Sequence, residues 1–220
     1  MTDILSLDEG YSTTRLIFND KCLMLNEDNS QFNIENSTSK KGGLRTKGYF
    51  KKSFDDKPLI SIITVVFNGE KYLEETIQSV INQTYSNVEY IIIDGGSSDG
   101  TFDIIKKYED KIDYWVSEKD RGISDAFNKG VKVAKGDYIN FQGDGDGFVS
   151  NDALEKVFEG INSSEDIFVS ARISRIDEEG KEIFVSKYIN EFDKKSLLFR
   201  MSIPHQGLFT HKSYFERYGL

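Results

Sequence analysis

The stretch Leu59-Ile60-Ser61-Ile62-Ile63-Thr64-Val65-Val66-Phe67 decides the fold. It is almost continuously apolar and rich in β-branched side chains, which is typical of a strand buried on both faces, as in a parallel sheet. The strand is predicted to end at Asn68-Gly69, and a helix is predicted over about 70–82. The apolar residues of that helix share one stripe: Leu73, Ile77, Val80 and Ile81.

The same alternation of strand and helix continues along the chain. Further strands are predicted over 88–93, 112–116 and 138–141, with helices around 104–108 and 123–134 between them. Such alternation predicts an α/β fold with a mostly parallel central sheet and right-handed crossovers. The loops after the four strands should then lie at the carboxyl edge of one sheet, where open α/β sheets bind ligands. The polar residues expected to line this crevice are Asn68, Asp94, Asp120, Asp144 and Asp146.

An acidic, glycine-rich loop follows the fourth strand. Asp144 and Asp146 are one residue apart within Gly143–Gly147. Side chains at this spacing point to one side of an extended backbone, where two carboxylates repel each other unless a cation lies between them. A divalent metal that holds a phosphate is one interpretation, and a solvated acidic turn is the other. His205 is a candidate third ligand, although a single histidine is more often structural.

Other crevice residues also have two interpretations. Asp94 could accept hydrogen bonds from a heterocycle or a ribose, or could cap the turn that follows it. Phe67 could pack on a base or belong to the core. Asp99 is predicted to cap the second helix, and Asp125 suits the positive end of the third helix dipole.

Composition excludes several classes of function. The chain has 220 residues and a net charge of −9, which argues against non-specific binding to nucleic acid or to an anionic membrane. The single Cys22 rules out an intrachain disulfide and fits a reducing compartment. Residues 1–10 lack the apolar core of a signal peptide, and no apolar run is long enough to span a bilayer. A soluble, cytoplasmic protein is predicted.

Residues 1–57 are predicted to be an N-terminal appendage, and residues 58–220 the organised domain. Within the appendage, 15–18 and 22–25 could form a hairpin, and 26–41 is typical of a linker. Later elements of the domain are predicted as follows: a helix over 151–159 capped by Ser150 or Asn151, a hairpin or antiparallel edge from 166–173 and 182–186, a short segment at 197–201, and a closing helix at 212–218.

Several spaced motifs together resemble the inverting family-2 glycosyltransferases with a GT-A fold, an α/β/α nucleotide-binding sandwich. The motifs are Ile62–Asn68, Leu73–Val80 with Gln83–Tyr85, Glu89–Thr101, and Ser117–Gly130. The last of these is similar to the bacterial branch that builds colanic acid, O-antigen and capsule chains. The resemblance covers about residues 58 to 219.

The resemblance implies a nucleotide-sugar donor, with Val65 and Phe67 beside the base and Asp94 on the base N–H. It extends the nucleotide site to Asn68, Gly95, Gly122 and Asp125. Asp144-Gly145-Asp146 matches the family's acidic motif, with Asp146 as direct ligand to Mn²⁺ or Mg²⁺, and His205-Gln206 matches a His-Gln pair of this branch. The metal would bridge the diphosphate and act as a Lewis acid on the leaving group.

Two departures limit this comparison. The two acids of the metal motif are separated by Gly145, whereas many relatives have adjacent acids. An inverting transferase also needs a carboxylate base for the acceptor hydroxyl, and the resemblance places it beyond Leu220. The chain is therefore interpreted as C-terminally truncated, with donor and metal binding but weak or absent transfer.

The predicted function is metal-dependent transfer of a sugar to a glycan or lipid-linked acceptor with inversion, in bacterial surface polysaccharide synthesis. The resemblance favours a UDP-sugar over a GDP-sugar as the donor. Peripheral association of the protein with the inner face of the membrane is compatible with this function. One alternative is a non-catalytic nucleotide-sugar-binding module that retains the fold. Another is a nucleotidyltransferase, which lacks support because 67–71 is too short and acidic for a phosphate loop.

Overall fold

The computed structural model describes residues 39–161, 168–186 and 204–220, together with the backbone of two short strands, Ile4–Leu5 (β1) and Ile17–Asn19 (β2). The remaining strands are Lys40–Gly42 (β3), Tyr49–Phe50 (β4), Ile60–Val66 (β5), Val88–Asp94 (β6), Tyr114–Ser117 (β7), Tyr138–Gly143 (β8), Phe168–Ser170 (β9), Ser174–Ile176 (β10), Glu182–Val185 (β11) and Leu208–His211 (β12). The α-helices are Leu73–Ile81 (α1), Thr101–Lys107 (α2), Ile123–Val133 (α3), Ala153–Val157 (α4) and Lys212–Tyr218 (α5), and short 3-10 helices cover Leu44–Lys47 and His205–Gly207.

A seven-stranded sheet in the order β3-β7-β6-β5-β8-β12-β9 forms the centre of the molecule. Its four inner strands, β7, β6, β5 and β8, are parallel, and β3, β12 and β9 pair antiparallel at the flanks. The predicted mostly parallel sheet is confirmed. The chain adds β6 and β7 on one side of β5 and then returns to place β8 on the other side. The strand order therefore reverses between β5 and β8, which is the point where such sheets bind ligands.

Helices cover both faces of the sheet. Along β5, alternate side chains point to opposite faces, so Ile62 packs with the core under α1, α2 and α4, and Ile63 packs with the core under α3. Both side chains are fully buried. This arrangement confirms the predicted α/β/α sandwich and explains why five of the seven residues of β5 are apolar.

Residues 40–42 of the segment 40–57, which was predicted to belong to the appendage, form a strand of the seven-stranded sheet. β3 pairs with β7, and the Leu44 N–H donates to the carbonyl of Ile112 at 3.0 Å. The Lys51 ammonium is buried and donates to Asp113 Oδ2 at 2.5 Å and to the Val88 carbonyl at 2.6 Å. The basic composition of this segment suggested exposure, but its charge is neutralised by an acid inside the domain.

Two of the smaller elements differ from prediction. β2 pairs antiparallel with β1 and β4, whereas its predicted partner, 22–25, lies outside the described residues, as do most of the linker and 197–201. β9 joins the large sheet through β12, so the hairpin forms between β10 and β11 instead.

The helix predicted over 151–159 is only the short α4, with Asp152 at its N-cap in place of Ser150 or Asn151. Gln83 from the end of α1 explains the difference, because it accepts the Leu154 N–H at 3.0 Å and donates to the Ser150 carbonyl at 2.8 Å. A tertiary contact from Gln83 therefore stabilises the start of α4, where a local cap was predicted. The closing helix α5 matches its prediction. Within the described residues, no helix has the length and apolar character needed to cross a membrane.

Candidate functional site

The loops that follow β5 and β6 are bonded to each other at the carboxyl edge of the sheet. Asn68 has a φ of 54°, a left-handed conformation that asparagine tolerates better than most residues. Its N–H donates to Ser97 Oγ at 2.7 Å, and its side-chain oxygen accepts the Ser98 N–H at 2.9 Å. The Gly69 N–H donates to Thr101 Oγ1 at 2.9 Å. Asn68 thus links the loops after β5 and β6.

Asp94 lies at the end of β6 and is fully buried. Its Oδ1 accepts the Ser97 hydroxyl at 2.5 Å and the Ser97 N–H at 3.1 Å, and its Oδ2 accepts the Ser117 hydroxyl at 2.6 Å. Both oxygens therefore hold the loops after β6 and β7. A base N–H would reach this carboxylate only by displacing one of the two serines.

Phe67 and Gly95 lie side by side at this edge. The ring of Phe67 is 63% exposed, which is unusual for a large apolar side chain at the end of a buried strand. Gly95 donates its N–H to the Val66 carbonyl at 2.9 Å, and a Cβ built on it would lie 3.3 Å from Phe67 Cδ2. Val65, by contrast, is 5% exposed and packs in the core with Ile93, so its side chain offers little surface to a base.

Gly122 and Asp125 lie at the start of α3. Gly122 has a φ of 115°, which favours glycine, and its carbonyl accepts the Asp125 N–H at 2.9 Å. The guanidinium of Arg121 donates to Asp125 Oδ1 at 2.9 Å, and this hydrogen bond holds the pKa of Asp125 below its usual range. Asp125 is therefore engaged in a surface ion pair.

The acidic loop after β8 is fixed from α1 by Thr76. The Thr76 hydroxyl donates to the Asp146 carbonyl at 2.7 Å and accepts the Gly145 N–H at 2.9 Å. Asp146 Oδ2 accepts the Gly143 N–H at 2.8 Å, which closes the turn. Thr76 was not predicted as a site residue, although a hydroxyl within the apolar stripe of α1 was a signal for it.

Asp144 faces the loop after β5. A Cβ built on Gly69 would lie 2.7 Å from Asp144 Oδ2, so the glycine allows the two loops at the switch point to touch. Partial burial, followed by the charges of Asp146 and Asp99, raises the pKa of Asp144. The charge of Asp146 therefore disfavours the ionised form of Asp144. The N-cap of α2 is Gly100 and not the predicted Asp99, although Asp99 accepts the Thr101 N–H at 3.1 Å beside it.

His205 does not join the two acids. Its ring packs against Phe127 with 5.8 Å between centroids, and it is the neighbouring Gln206 that reaches Asp146 Oδ1, at 3.4 Å. Within 39–161, 168–186 and 204–220, no group of three His, Cys, Asp or Glu side chains is placed to hold a metal ion. The predicted three-residue ligand set is therefore not assembled.

The reversal of strand order places an exposed aromatic ring and an acidic loop at one edge of an α/β sheet, where such sheets bind ligands. The comparison with known families makes this more specific. The family model of glycosyl transferase family 2 matches residues 61–219, and the chain belongs to this family.

Individual relatives agree with this assignment. A glycosyltransferase of Haemophilus influenzae, described as uncharacterized, is 37% identical over 144 residues, which are 64% of this chain and 57% of the relative. A Bacillus subtilis protein named "Putative teichuronic acid biosynthesis glycosyltransferase TuaG" is 41% identical over 107 residues, or 47% of this chain and 42% of that protein. The chain spans about half the length of the curated relatives that it matches.

The fold is also similar to that of a solved mannosyltransferase, PcManGT from Pyrobaculum calidifontis, whose structure contains GDP-Man and Mn²⁺. The TM-score is 0.52 at 20% identity, with 74% of this chain and 47% of that chain covered. At this identity the likeness concerns the fold alone. Together with the family match it confirms the GT-A-type sandwich and the resemblance to family-2 glycosyltransferases.

Proposed function

We propose that this chain binds a nucleotide-sugar donor, and that the whole protein transfers the sugar with inversion to a glycan or lipid-linked acceptor in bacterial surface polysaccharide synthesis. The observation that carries the proposal is the convergence of Phe67 and the acidic loop on the two sides of one strand end, at the switch point between β5 and β8. The name of the Bacillus subtilis relative TuaG supports a role in polysaccharide synthesis.

The two ends of the crevice suit the two ends of a nucleotide diphosphate. Phe67 offers an exposed ring on which a base can stack. The loop 143–147 offers carboxylates, and these suit a diphosphate only when a cation lies between the two sets of negative charges. A donor would therefore lie across the end of β5, with its base toward β6 and its diphosphate toward β8.

The acidic loop fits a hard divalent cation. The carboxylate oxygens of Asp144 and Asp146 are ligands that Mg²⁺ and Mn²⁺ accept, and Mg²⁺ is often held by one or two carboxylates together with substrate phosphates. Because the described residues place no third acid or histidine beside them, the phosphates would complete the ligand set. When bound, the ion would act as a Lewis acid on the leaving nucleoside diphosphate. Thr76 and Gly143 hold the loop in the conformation that presents Asp146.

Isothermal titration calorimetry with UDP and GDP, with and without Mn²⁺, tests the donor site. Asp146→Asn is the test variant because its amide oxygen can still accept the Gly143 N–H and keep the turn closed. Asp110→Asn is the matched control, because Asp110 is an exposed acid in the loop before β7, at the opposite edge of the sheet.

The wild type and Asp110→Asn should bind at least one of these nucleotides more tightly with Mn²⁺. Asp146→Asn should lose that gain, by about tenfold or more. Absence of nucleotide binding under all conditions would refute the donor site, and equal Mn²⁺ dependence in Asp146→Asn would refute the metal assignment.

The stereochemistry and the enzyme class need a separate assay of the whole protein. Release of nucleoside diphosphate from a panel of nucleotide sugars, followed by NMR of the product anomer, distinguishes inversion from retention. Donor binding without any acceptor-dependent release would favour the alternative, a binding module that has kept the fold.

A further inference from the structure

We infer that Asp120 accepts the central N–H of the donor base, and that this residue restricts the base to uracil or guanine. The inference deepens the proposed function and rests on it. It also moves base recognition away from Asp94, the residue that the family resemblance suggested.

Asp94 is not accessible to a ligand. Its carboxylate is fully buried, and its oxygens already accept hydrogen bonds from Ser97 and Ser117. An acceptor in this state has no exposed surface for a ligand. The carboxylate that recognises the base must therefore come from another loop of the crevice.

Asp120 lies in the loop that follows β7. Its Oδ1 accepts the Gly122 N–H at 2.8 Å. Its Oδ2 lies beside Gly95, where a Cβ built on the glycine would be 2.6 Å from this oxygen and 3.3 Å from the Phe67 ring. Because Gly95 has no side chain, Asp120 Oδ2 and the Phe67 ring can both lie close to its Cα.

Asp120 Oδ2 keeps its capacity to accept a hydrogen bond. The nearby cations have other partners, since Arg121 pairs with Asp125 at 2.9 Å and Lys129 pairs with Glu118 at 2.8 Å. In the described part of the chain, no ion pair involves Asp120. The structure thus presents one carboxylate oxygen next to an exposed aromatic ring.

The chemistry of the bases gives the specificity. Uracil and guanine carry an N–H at the centre of the pairing edge, N3–H and N1–H respectively, which a carboxylate oxygen can accept. Cytosine N3 and adenine N1 have a lone pair at that place, which a carboxylate repels. A site that hydrogen-bonds its ligand rejects an analogue without the matching group, because a polar group of the site is then left unpaired.

The substitution Asp120→Asn should change the preference as well as weaken it. Because the Gly122 N–H needs an acceptor, the amide oxygen of the variant should take the place of Oδ1. The amide NH₂ then takes the place of Oδ2 and presents a donor where the wild type has an acceptor. We expect binding of UDP or GDP to weaken by about 10- to 100-fold and binding of CDP or ADP to strengthen.

Calorimetry with UDP, GDP, CDP and ADP in the presence of Mn²⁺ tests this inference. The proteins compared are wild type, Asp120→Asn and the control Asp110→Asn, and circular dichroism shows whether each variant is folded. UDP or GDP should bind wild type and control at least about tenfold more tightly than CDP or ADP, and this ratio should fall or reverse in Asp120→Asn.

Failure of this inference can be distinguished from failure of the proposed function. Wild type that binds UDP and CDP equally, or folded Asp120→Asn that keeps the wild-type ratio, overturns the role of Asp120 and leaves the donor site intact. Wild type that binds none of the four nucleotides overturns the proposed function and the inference with it.

Discussion

Replacing Thr76 by valine should loosen the acidic loop while leaving the rest of the site in place. Thr76 is 1% exposed, and its hydroxyl makes two contacts to this loop, with the Asp146 carbonyl at 2.7 Å and the Gly145 N–H at 2.9 Å. Valine has nearly the same shape and cannot make either bond. Each hydrogen bond contributes about 0.5–1.5 kcal/mol net, so the free energy of unfolding should fall by about 1–3 kcal/mol.

The same substitution has a functional consequence. Once the loop is no longer fixed to α1, Asp146 is not held in position for a cation, so the affinity for nucleotide in Mn²⁺ should fall while the metal-free affinity stays the same. Urea unfolding measures the first effect and calorimetry the second. Thr84→Val is the matched control, because Thr84 is exposed and its hydroxyl contacts only Glu155 in the described residues.

The result that would refute this reasoning is specific. If Thr76→Val and Thr84→Val change the free energy of unfolding by the same small amount, of about 0.5 kcal/mol or less, the two bonds to the loop contribute nothing measurable. If the stability falls as expected but the Mn²⁺-dependent affinity does not, Thr76 serves the fold alone and the loop finds its conformation without it.

Two further predictions concern stability. Lys51→Met should lower the free energy of unfolding, measured in urea, by about 3–5 kcal/mol, because it leaves the buried Asp113 carboxylate without its ion pair. Lys47→Met, at an exposed position, should have little effect, and equal effects of the two substitutions would show that 40–57 is not part of the domain. His211 caps α5 by accepting the Ser213 N–H, and burial lowers its pKa, so the folded state favours the neutral imidazole and stability should fall as pH drops below the ordinary histidine value of about 6.5. His211→Asn keeps a capping acceptor and should reduce the loss between pH 7.5 and 5.5, measured by urea unfolding; an unchanged loss would contradict this role.

The inner sheet could be predicted because its signal is local. β5 and β6 are rich in apolar, β-branched residues, and a run of this kind has few alternatives to a strand buried on both faces. The segment 40–57 could not be predicted in the same way. β3 is short and begins with two lysines, and its place in the sheet depends on pairing with β7 and on the burial of Lys51 beside an acid distant in sequence.

The candidate site was predicted at the level of loops but not at the level of atoms. Strand order places the loops with Phe67, Asp94 and Asp144 at one edge, and sequence patterns were sufficient for that. Which carboxylate faces the crevice depends on tertiary hydrogen bonds, and the two serines that bond the Asp94 carboxylate lie in the loop after β6 and at the end of β7. Thr76 was closer to prediction, because a hydroxyl in an apolar stripe needs a buried partner.

The pairing of β3 with β7 has a practical consequence for anyone who wants to isolate the nucleotide site. β3 closes one edge of the sheet with Lys40 and Lys41, and lysines at an edge discourage the addition of a strand from another molecule. Gly42 packs directly on Trp115, whose indole a Cβ at that position would approach to 2.6 Å. A fragment that begins at Pro58, the domain start predicted from the sequence, would lack β3 and would expose this tryptophan and an unpaired strand edge. Fragments intended for crystallisation or fusion should therefore begin before residue 39, or they will self-associate.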